Sequence, residues 1–168
     1  DGKRINPIES YGVKTISMGY LTDPEMAVIW RGPMLMKAVT QFLNDVNWGE
    51  LDFLIIDMPP GTGDVQLSIT QQVNLSGAII VTTPQDVALM DVKRGIRMFE
   101  KVNVPVLGVV ENMSYHICSN CGEKEHIFGR DKVEAMVKDL KSRIIAQFPL
   151  DAAIVSASDE GKPIALSE

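Results

Sequence analysis

The sequence predicts an α/β fold with a largely parallel sheet flanked by helices. Short apolar runs rich in β-branched residues alternate along the chain with segments of helical period. The runs are apolar throughout rather than at every second position, which suits strands covered on both faces. Each ends in turn or polar residues, Asp57, Thr82-Thr83-Pro84 and Asn112 among them. With 168 residues the chain is about one domain in size. Residues 1–168 therefore read as a single α/β domain, with a Cys-bearing excursion at 115–128.

Residues 1–12 are polar and carry Pro7 and Gly12, so they read as an irregular lead-in, followed by a strand from Val13 to Met18. A loop with Asp23-Pro24 comes next. Gly32-Pro33 has the form of a helix start, with proline at the first helical position. Leu35, Val39, Phe42 and Val46 then give one apolar face up to about Asn47. Phe53 to Ile56 reads as a buried parallel strand, Val65 to Leu75 as a helix, and Ala78 to Val81 as a second buried strand. Asp86 suits the N-cap of a helix from Val87 to Val102, with Val92, Ile96 and Phe99 inward. Val104 to Val110 is a third strand, and Tyr115 to Phe128 shows no helical period. A helix from Asp131 to Leu140, a short strand from Ile144 to Phe148 and a terminal helix after Pro149 complete the chain.

Composition narrows the function classes. The apolar fraction of 45% and charged fraction of 23% are those of an ordinary globular protein. A formal charge of −6 disfavours a nucleic-acid groove or an anionic membrane surface as the main partner. The sequence shows neither an apolar run long enough for a membrane span nor a signal peptide. Its two cysteines stand in one C-x-x-C pair, which fits a reducing compartment and a cytoplasmic setting. The nine methionines are scattered, as core filler would be, and Lys93, Arg94 and Arg97 read as a solvated helix face.

Three places carry chemistry. Leu54 to Asp64 reads Leu-Ile-Ile-Asp-Met-Pro-Pro-Gly-Thr-Gly-Asp, a strand ending in Asp57 and a loop whose glycines let backbone N–H groups approach an anion. A carboxylate there suits a nucleotide-bound Mg²⁺ and a terminal phosphate. Asn112 ends the third strand, where its amide offers a donor and an acceptor to an adenine edge or caps the strand end through its own backbone. Cys118 and Cys121 sit in a loop with Asn120 and Gly122, so both sulfurs can turn toward one metal. His116 and His126 flank the pair, and a local Cys₂His₂ zinc knuckle is one completion. A dithiol/disulfide couple is another, although redox pairs normally start a helix and nothing helical follows Cys121.

Trp30-Arg31-Gly32-Pro33-Met34, Asp57 to Asp64, Val81-Thr82-Thr83-Pro84-Gln85, Glu111-Asn112-Met113-Ser114 and Cys118-Ser119-Asn120-Cys121-Gly122 occur in that order. Together they resemble the Mrp/ApbC family of iron–sulfur carrier ATPases, relatives of MinD and of the nitrogenase iron protein. The resemblance runs from about Val13 to Gly129 and more loosely to Pro163. It implies a P-loop NTPase-like fold of the deviant Walker A class. It also implies ATP, Mg²⁺ and a 4Fe–4S cluster as ligands, and a cluster carrier that delivers to apo iron–sulfur proteins. By position, Asp57 would help hold Mg²⁺, and Pro59, Gly61, Gly63 and Asp64 would belong to a switch that senses the γ-phosphate. Asn112, Pro149 and Asp151 would meet the base. Cys118 and Cys121 would meet their copies across a homodimer two-fold and hold a bridging cluster. The rival classes are a zinc-stabilised interaction domain and a MinD-like regulatory ATPase, the latter weakened by the lack of a basic amphipathic C-terminal helix.

The sequence departs from the family in one large respect. Family members carry a Gly-Lys-Gly-Gly-Val-Gly-Lys-Ser/Thr type P-loop after their first strand, and no Gly-x-x-x-x-Gly-Lys-Ser/Thr occurs here. The expectation is a C-terminal portion of a larger nucleotide-binding domain, without the water-activating Asp of that earlier segment. Past Phe128-Gly129, Arg130-Asp131-Lys132 stands where family members have more glycines. Residues 1–168 alone are therefore expected to lack micromolar affinity for ATP in calorimetry, because the lysine and the cradle of amides are missing.

Overall fold

The computed structural model describes residues 4–21, 32–59, 61 and 63–166, with Asp64 described by its backbone alone. The Asp23-Pro24 loop, Arg31, Pro60 and Thr62 lie outside the described residues. The chain divides into two compact units, Asp1–Asn74 and Leu75–Glu168.

In the first unit, β1 (Ile8–Ser10) and β2 (Val13–Thr15) form an antiparallel hairpin. Its turn residues Tyr11 and Gly12 both have positive φ, 52° and 75°, the geometry that matches hairpin twist. The hairpin corrects the irregular lead-in expected for residues 1–12. Helix α1 (Gly32–Asn44) packs against α2 (Asp64–Gln72), where Thr40 Oγ1 donates to Gln72 Oε1 at 3.0 Å. Ala38, Val46 and Ile69 are buried here.

The run Phe53 to Ile56 departs from expectation. It lies in no strand, and Phe53 and Ile55 are each 84% exposed. An apolar run gains from burial, but a parallel strand also needs a neighbour for its backbone groups. Among the described residues none pairs with this segment.

The second unit holds the sheet. Strands β3 (Ala78–Thr82), β4 (Val106–Ile117) and β6 (Ile144–Pro149) run parallel in the order β3-β4-β6. Each parallel step uses a crossover helix, α3 (Asp86–Lys101) or α4 (Lys132–Asp139). Leu89, Val92 and Ile96 from α3 meet Val133, Met136 and Val137 from α4 over Val109 of β4, with Ile80 and Ile144 packed against them. Ile79 and Val81, which alternate with Ile80, are 53% and 63% exposed on the other face. A last helix, α5 (Ala152–Asp159), follows β6.

Helix boundaries fall within a few residues of those expected. Gln85, not Asp86, is the N-cap of α3. Asp86 lies in the first turn, where a carboxylate still favours the helix dipole, and it accepts from Lys132 Nζ at 2.8 Å. The larger difference is β4, which does not stop at Val110 but continues for seven more residues. Its end pairs antiparallel with β5 (Lys124–Glu125), in the register His116↔Glu125 and Ile117↔Lys124. Part of the expected excursion is thus a hairpin grown from the central strand.

Ile96 is 1% exposed at the centre of this core. Ile96→Ala should lower unfolding free energy by roughly 2–5 kcal/mol in urea titration, through lost transfer energy plus a cavity. Ile79→Ala, on the exposed face, should cost about 1 kcal/mol or less.

Candidate functional site

The Pro-Gly loop is held by a residue the sequence reading passed over. Gln66, in the first turns of α2, is only 4% exposed, and its Nε2 donates to the carbonyl of Pro59 at 2.8 Å. Gly61 has φ +99°, a conformation costly for any side chain, and Gly63 is the N-cap of α2. A Cβ added at either glycine would come to 3.9 and 3.8 Å from the Gln66 amide. The buried Gln66 amide is thus bonded to Pro59 and lies beside Gly61 and Gly63. A glutamine three residues after a glycine N-cap, among apolar helix positions, was the available signal. Asp57 stands before this loop and is exposed. Pro59 is half-buried, and Gly61 and Gly63 are exposed.

In the second unit β3 ends at Thr82 opposite Glu111, midway along β4, and Glu111 lies opposite Gln147 near the end of β6, so Asn112, expected to end its strand, is an interior position of β4. The carboxyl ends of β3 and β6 mark the sheet edge where ligands of open α/β folds bind. Asn112 and Pro149 both fall there, with Asp151 two residues further on. β4 breaks register with β6 between Glu111 and Tyr115, and Met113 within the break has φ +53°. Such bulges re-aim side chains beside functional sites.

Asn112 Oδ1 accepts from the Met113 N–H at 3.0 Å, so the local backbone contact expected of a strand-ending Asn is formed. Asp151 is the N-cap of α5 and accepts from Ala153 N at 2.8 Å. Beneath the bulge Glu111 is 5% exposed, and its Oε2 accepts from Ser114 Oγ at 3.0 Å and from Gln147 Nε2 at 2.6 Å. Two donors on one buried carboxylate tie both sides of the bulge to β6. A glutamate directly after the apolar run Val104 to Val110 was the sequence signal for this tie.

The cysteines lie on the loop that closes the β4–β5 hairpin. Cys118 N–H donates to the Glu123 carbonyl at 2.9 Å, and Gly122 N–H returns to the Cys118 carbonyl at 2.8 Å. Gly122 has φ +74°, which closes this turn. The Cys118 thiol is held below its ordinary pKa, first by the backbone N–H of Cys121, then by that of Asn120 and by the Cys121 side chain. Desolvation and the charge of Glu125 oppose the shift. N–H groups aimed at a sulfur favour thiolate, the form that binds metal. Cys121 is exposed and Cys118 half-buried, both as free thiols.

His116 and His126 do not join them. His116 Nδ1 lies 3.1 Å from the Leu150 carbonyl oxygen, and His126 Nδ1 lies 3.1 Å from that of Ser114. Among the described residues, no three or more His, Cys, Asp or Glu side chains come together as a metal set. The local Cys₂His₂ set is therefore not assembled among the described residues, and the two thiols stand apart from the imidazoles. No helix among the described residues is long and apolar enough to cross a membrane.

Alkylation tests the Cys118 environment. Because the folded thiol has the lower pKa, its thiolate fraction at pH values below the ordinary thiol range exceeds that of the unfolded chain. The pH midpoint for iodoacetamide labelling of Cys118 should lie lower in folded protein than in urea. Cys121→Ala, which leaves both N–H donors in place, should retain most of that difference.

A family model described as ParA, the NUBPL iron-transfer P-loop NTPase, matches residues 1–168. The chain is 49% identical over 168 residues to an iron-sulfur cluster carrier protein of Pseudomonas fragi, covering 100% of this chain and 58% of that one. It is 50% identical over 167 residues to the iron-sulfur cluster carrier protein of Escherichia coli K12, covering 99% of this chain and 45% of that one. To the iron-sulfur cluster transfer protein NUBPL of Mus musculus it is 48% identical over 164 residues, covering 98% and 51%. The chain thus spans about half the length of the curated relatives it matches. Among solved structures, a nucleotide-binding protein of Archaeoglobus fulgidus in complex with ADP is similar with a TM-score of 0.79. That pair is 35% identical, over 96% of this chain and 63% of the other. With a knuckle of paired thiols at the end of a parallel sheet and a family match over its whole length, the chain belongs to the NUBPL iron-transfer P-loop NTPase family.

Proposed function

We propose that the protein is a cytoplasmic, ATP-dependent carrier of a 4Fe–4S cluster. It delivers that cluster to apo iron–sulfur proteins. The observation that carries the reading is the Cys118–Cys121 loop. It presents two soft ligands, backbone N–H groups favour thiolate at the first, and no third ligand stands nearby among the described residues. A cubane cluster held by protein thiolates takes four. A two-fold axis doubles a two-ligand half-site, so the cargo bridges a homodimer through the hairpin.

The donor sets fit the other ligands the family uses. Asp57 is an exposed carboxylate of the kind that holds Mg²⁺ through water. The loop of Pro59, Gly61, Gly63 and Asp64, with Gln66 beside it, has the glycine freedom to follow a terminal phosphate. Asn112 has amide donors at the carboxyl edge of the sheet, and Pro149 and Asp151 flank the same edge for a base. ATP, when bound, would supply a charge whose loss on hydrolysis the loop can register. The cysteines hold and release the cargo.

Anaerobic reconstitution with iron and sulfide tests this. We expect about one four-iron cluster per two chains, with a shift toward dimer in sedimentation. Cys118→Ala and Cys121→Ala should each abolish uptake, whereas His116→Ala and His126→Ala should leave iron and sulfide content nearly intact. One zinc per monomer, released by the histidine changes and with no dimer, would instead establish the zinc-stabilised interaction domain.

A further inference from the structure

The cysteine hairpin has little stiffness of its own. Its antiparallel ladder is two residue pairs long, His116↔Glu125 and Ile117↔Lys124, and a ladder so short is marginal without outside support. Support comes from the Lys124 ammonium, 3.8 Å from the centre of the Tyr115 ring across the two strands, and from two imidazoles. His126 Nδ1 bonds the Ser114 carbonyl, and His116 Nδ1 bonds the Leu150 carbonyl, each at 3.1 Å. A carbonyl oxygen only accepts, so each ring carries a proton on Nδ1 and needs none on Nε2.

The two partners are not equivalent. Ser114 belongs to β4 itself, so the His126 bond stays within the hairpin and its stem. Leu150 lies between Pro149, the end of β6, and Asp151, the N-cap of α5. Leu150 is gripped from both sides by consecutive residues of β4. Its N–H donates to the Tyr115 carbonyl at 2.7 Å, and its carbonyl receives the His116 ring. His116 is two residues from Cys118.

We propose that His116 is a positioning residue that couples the Pro149–Asp151 segment to the Cys118–Cys121 loop, so that a shift of one moves the other. The functional meaning of the coupling rests on the carrier reading above, in which the segment faces the nucleotide base and the loop holds the cluster. A base that displaced Leu150 would pull on the imidazole and through it on the stem of the hairpin. The coupling itself is a property of the protein without ligands. Spatial intermediacy alone does not establish it, so the test must show non-additivity between the two ends.

Amide hydrogen exchange in the intact protein, with neither nucleotide nor cluster, reads the loop at Cys118 and Gly122, whose N–H groups are both bonded. His116→Ala should speed exchange at both by about tenfold, a local opening made easier. His116→Asn, whose Nδ2 stands where Nδ1 does, should return exchange to within about twofold of wild type; a bare Nε2 ligand would not be replaced this way. Asp151→Ala, which loosens the start of α5, should speed loop exchange in the wild-type background and add little to His116→Ala. Exchange at Val109, fully buried in the sheet, marks global unfolding and should not change. If it does rise in His116→Ala, the Asn and Asp151→Ala variants decide. Unchanged loop exchange in His116→Ala, an Asn variant that behaves like Ala, or an additive double variant would each overturn the proposal. If the exchange results hold while the intact protein takes up no cluster, the carrier reading falls and the coupling stands.

Discussion

The backbone ladder of β4 is the constraint on which the second unit depends. Its first half accepts β3 on one edge and β6 on the other, so these residues satisfy their backbone groups inside the sheet. Its second half leaves β3 behind, keeps β6 as far as Tyr115↔Pro149, and then folds back on itself through β5. One strand therefore carries the core residue Val109, the buried Glu111, Asn112 at the ligand edge and His116, and it leads directly into Cys118. A change of register anywhere along it would move all of these together, because a one-residue slip reverses every side chain. Its pairing with β6 shifts register between Val109 and Val110 and again between Glu111 and Tyr115, and the Glu111 carboxylate clasps the second shift from both sides.

A buried polar side chain stands at an irregular stretch in each unit. Gln66 and Glu111 are each about as buried as the apolar core; Gln66 donates to the backbone carbonyl of Pro59, and Glu111 accepts from the side chains of Ser114 and Gln147 on either side of the bulge. An irregular loop or bulge has backbone groups that no ladder satisfies, and leaving a buried one unpaired costs about 1–3 kcal/mol. The Gln66 amide supplies such a partner at Pro59, and the Glu111 carboxylate instead links side chains across its bulge. Such side chains mark where the chain holds a non-repeating shape, which is where binding loops occur.

Most of the elements were legible in the sequence, because apolar period and capping chemistry are local. Val92, Ile96 and Phe99 face inward on α3 as their spacing requires, and α5 begins where Pro149 and Asp151 place it. What was not legible depends on partners. Phe53 to Ile56 has the composition of a buried strand, but composition does not supply the neighbouring backbone a ladder needs. The extension of β4 was missed for the converse reason. Tyr115 to Ile117 is too short and mixed to announce a strand, and it becomes one through pairing with Lys124 and Glu125. For the site, residue types and spacing pointed to the cysteines, to Asn112 and to the Pro-Gly loop. Gln66 and Glu111, whose roles follow from burial and geometry, were readable only as oddities in apolar surroundings.

The two histidines show how coordinates can reassign a residue that ligand counting leaves open. From spacing alone, His116 and His126 beside a C-x-x-C pair are as good a zinc set as a bridging half-site. The geometry separates the cases because an imidazole has two nitrogens with different possibilities. In both rings Nδ1 is engaged by a backbone carbonyl, a pattern that by itself would also suit a metal-bound histidine with its outer nitrogen anchored. What decides against a local site is that neither ring is gathered with the thiols into a set of three or more. The hairpin therefore keeps its sulfurs unsaturated by its own chain, and the imidazoles become the struts that aim them. An open pair of thiols suits a protein that must give its metal away. A closed four-ligand knuckle within one chain would hold zinc for structure and have little reason to release it.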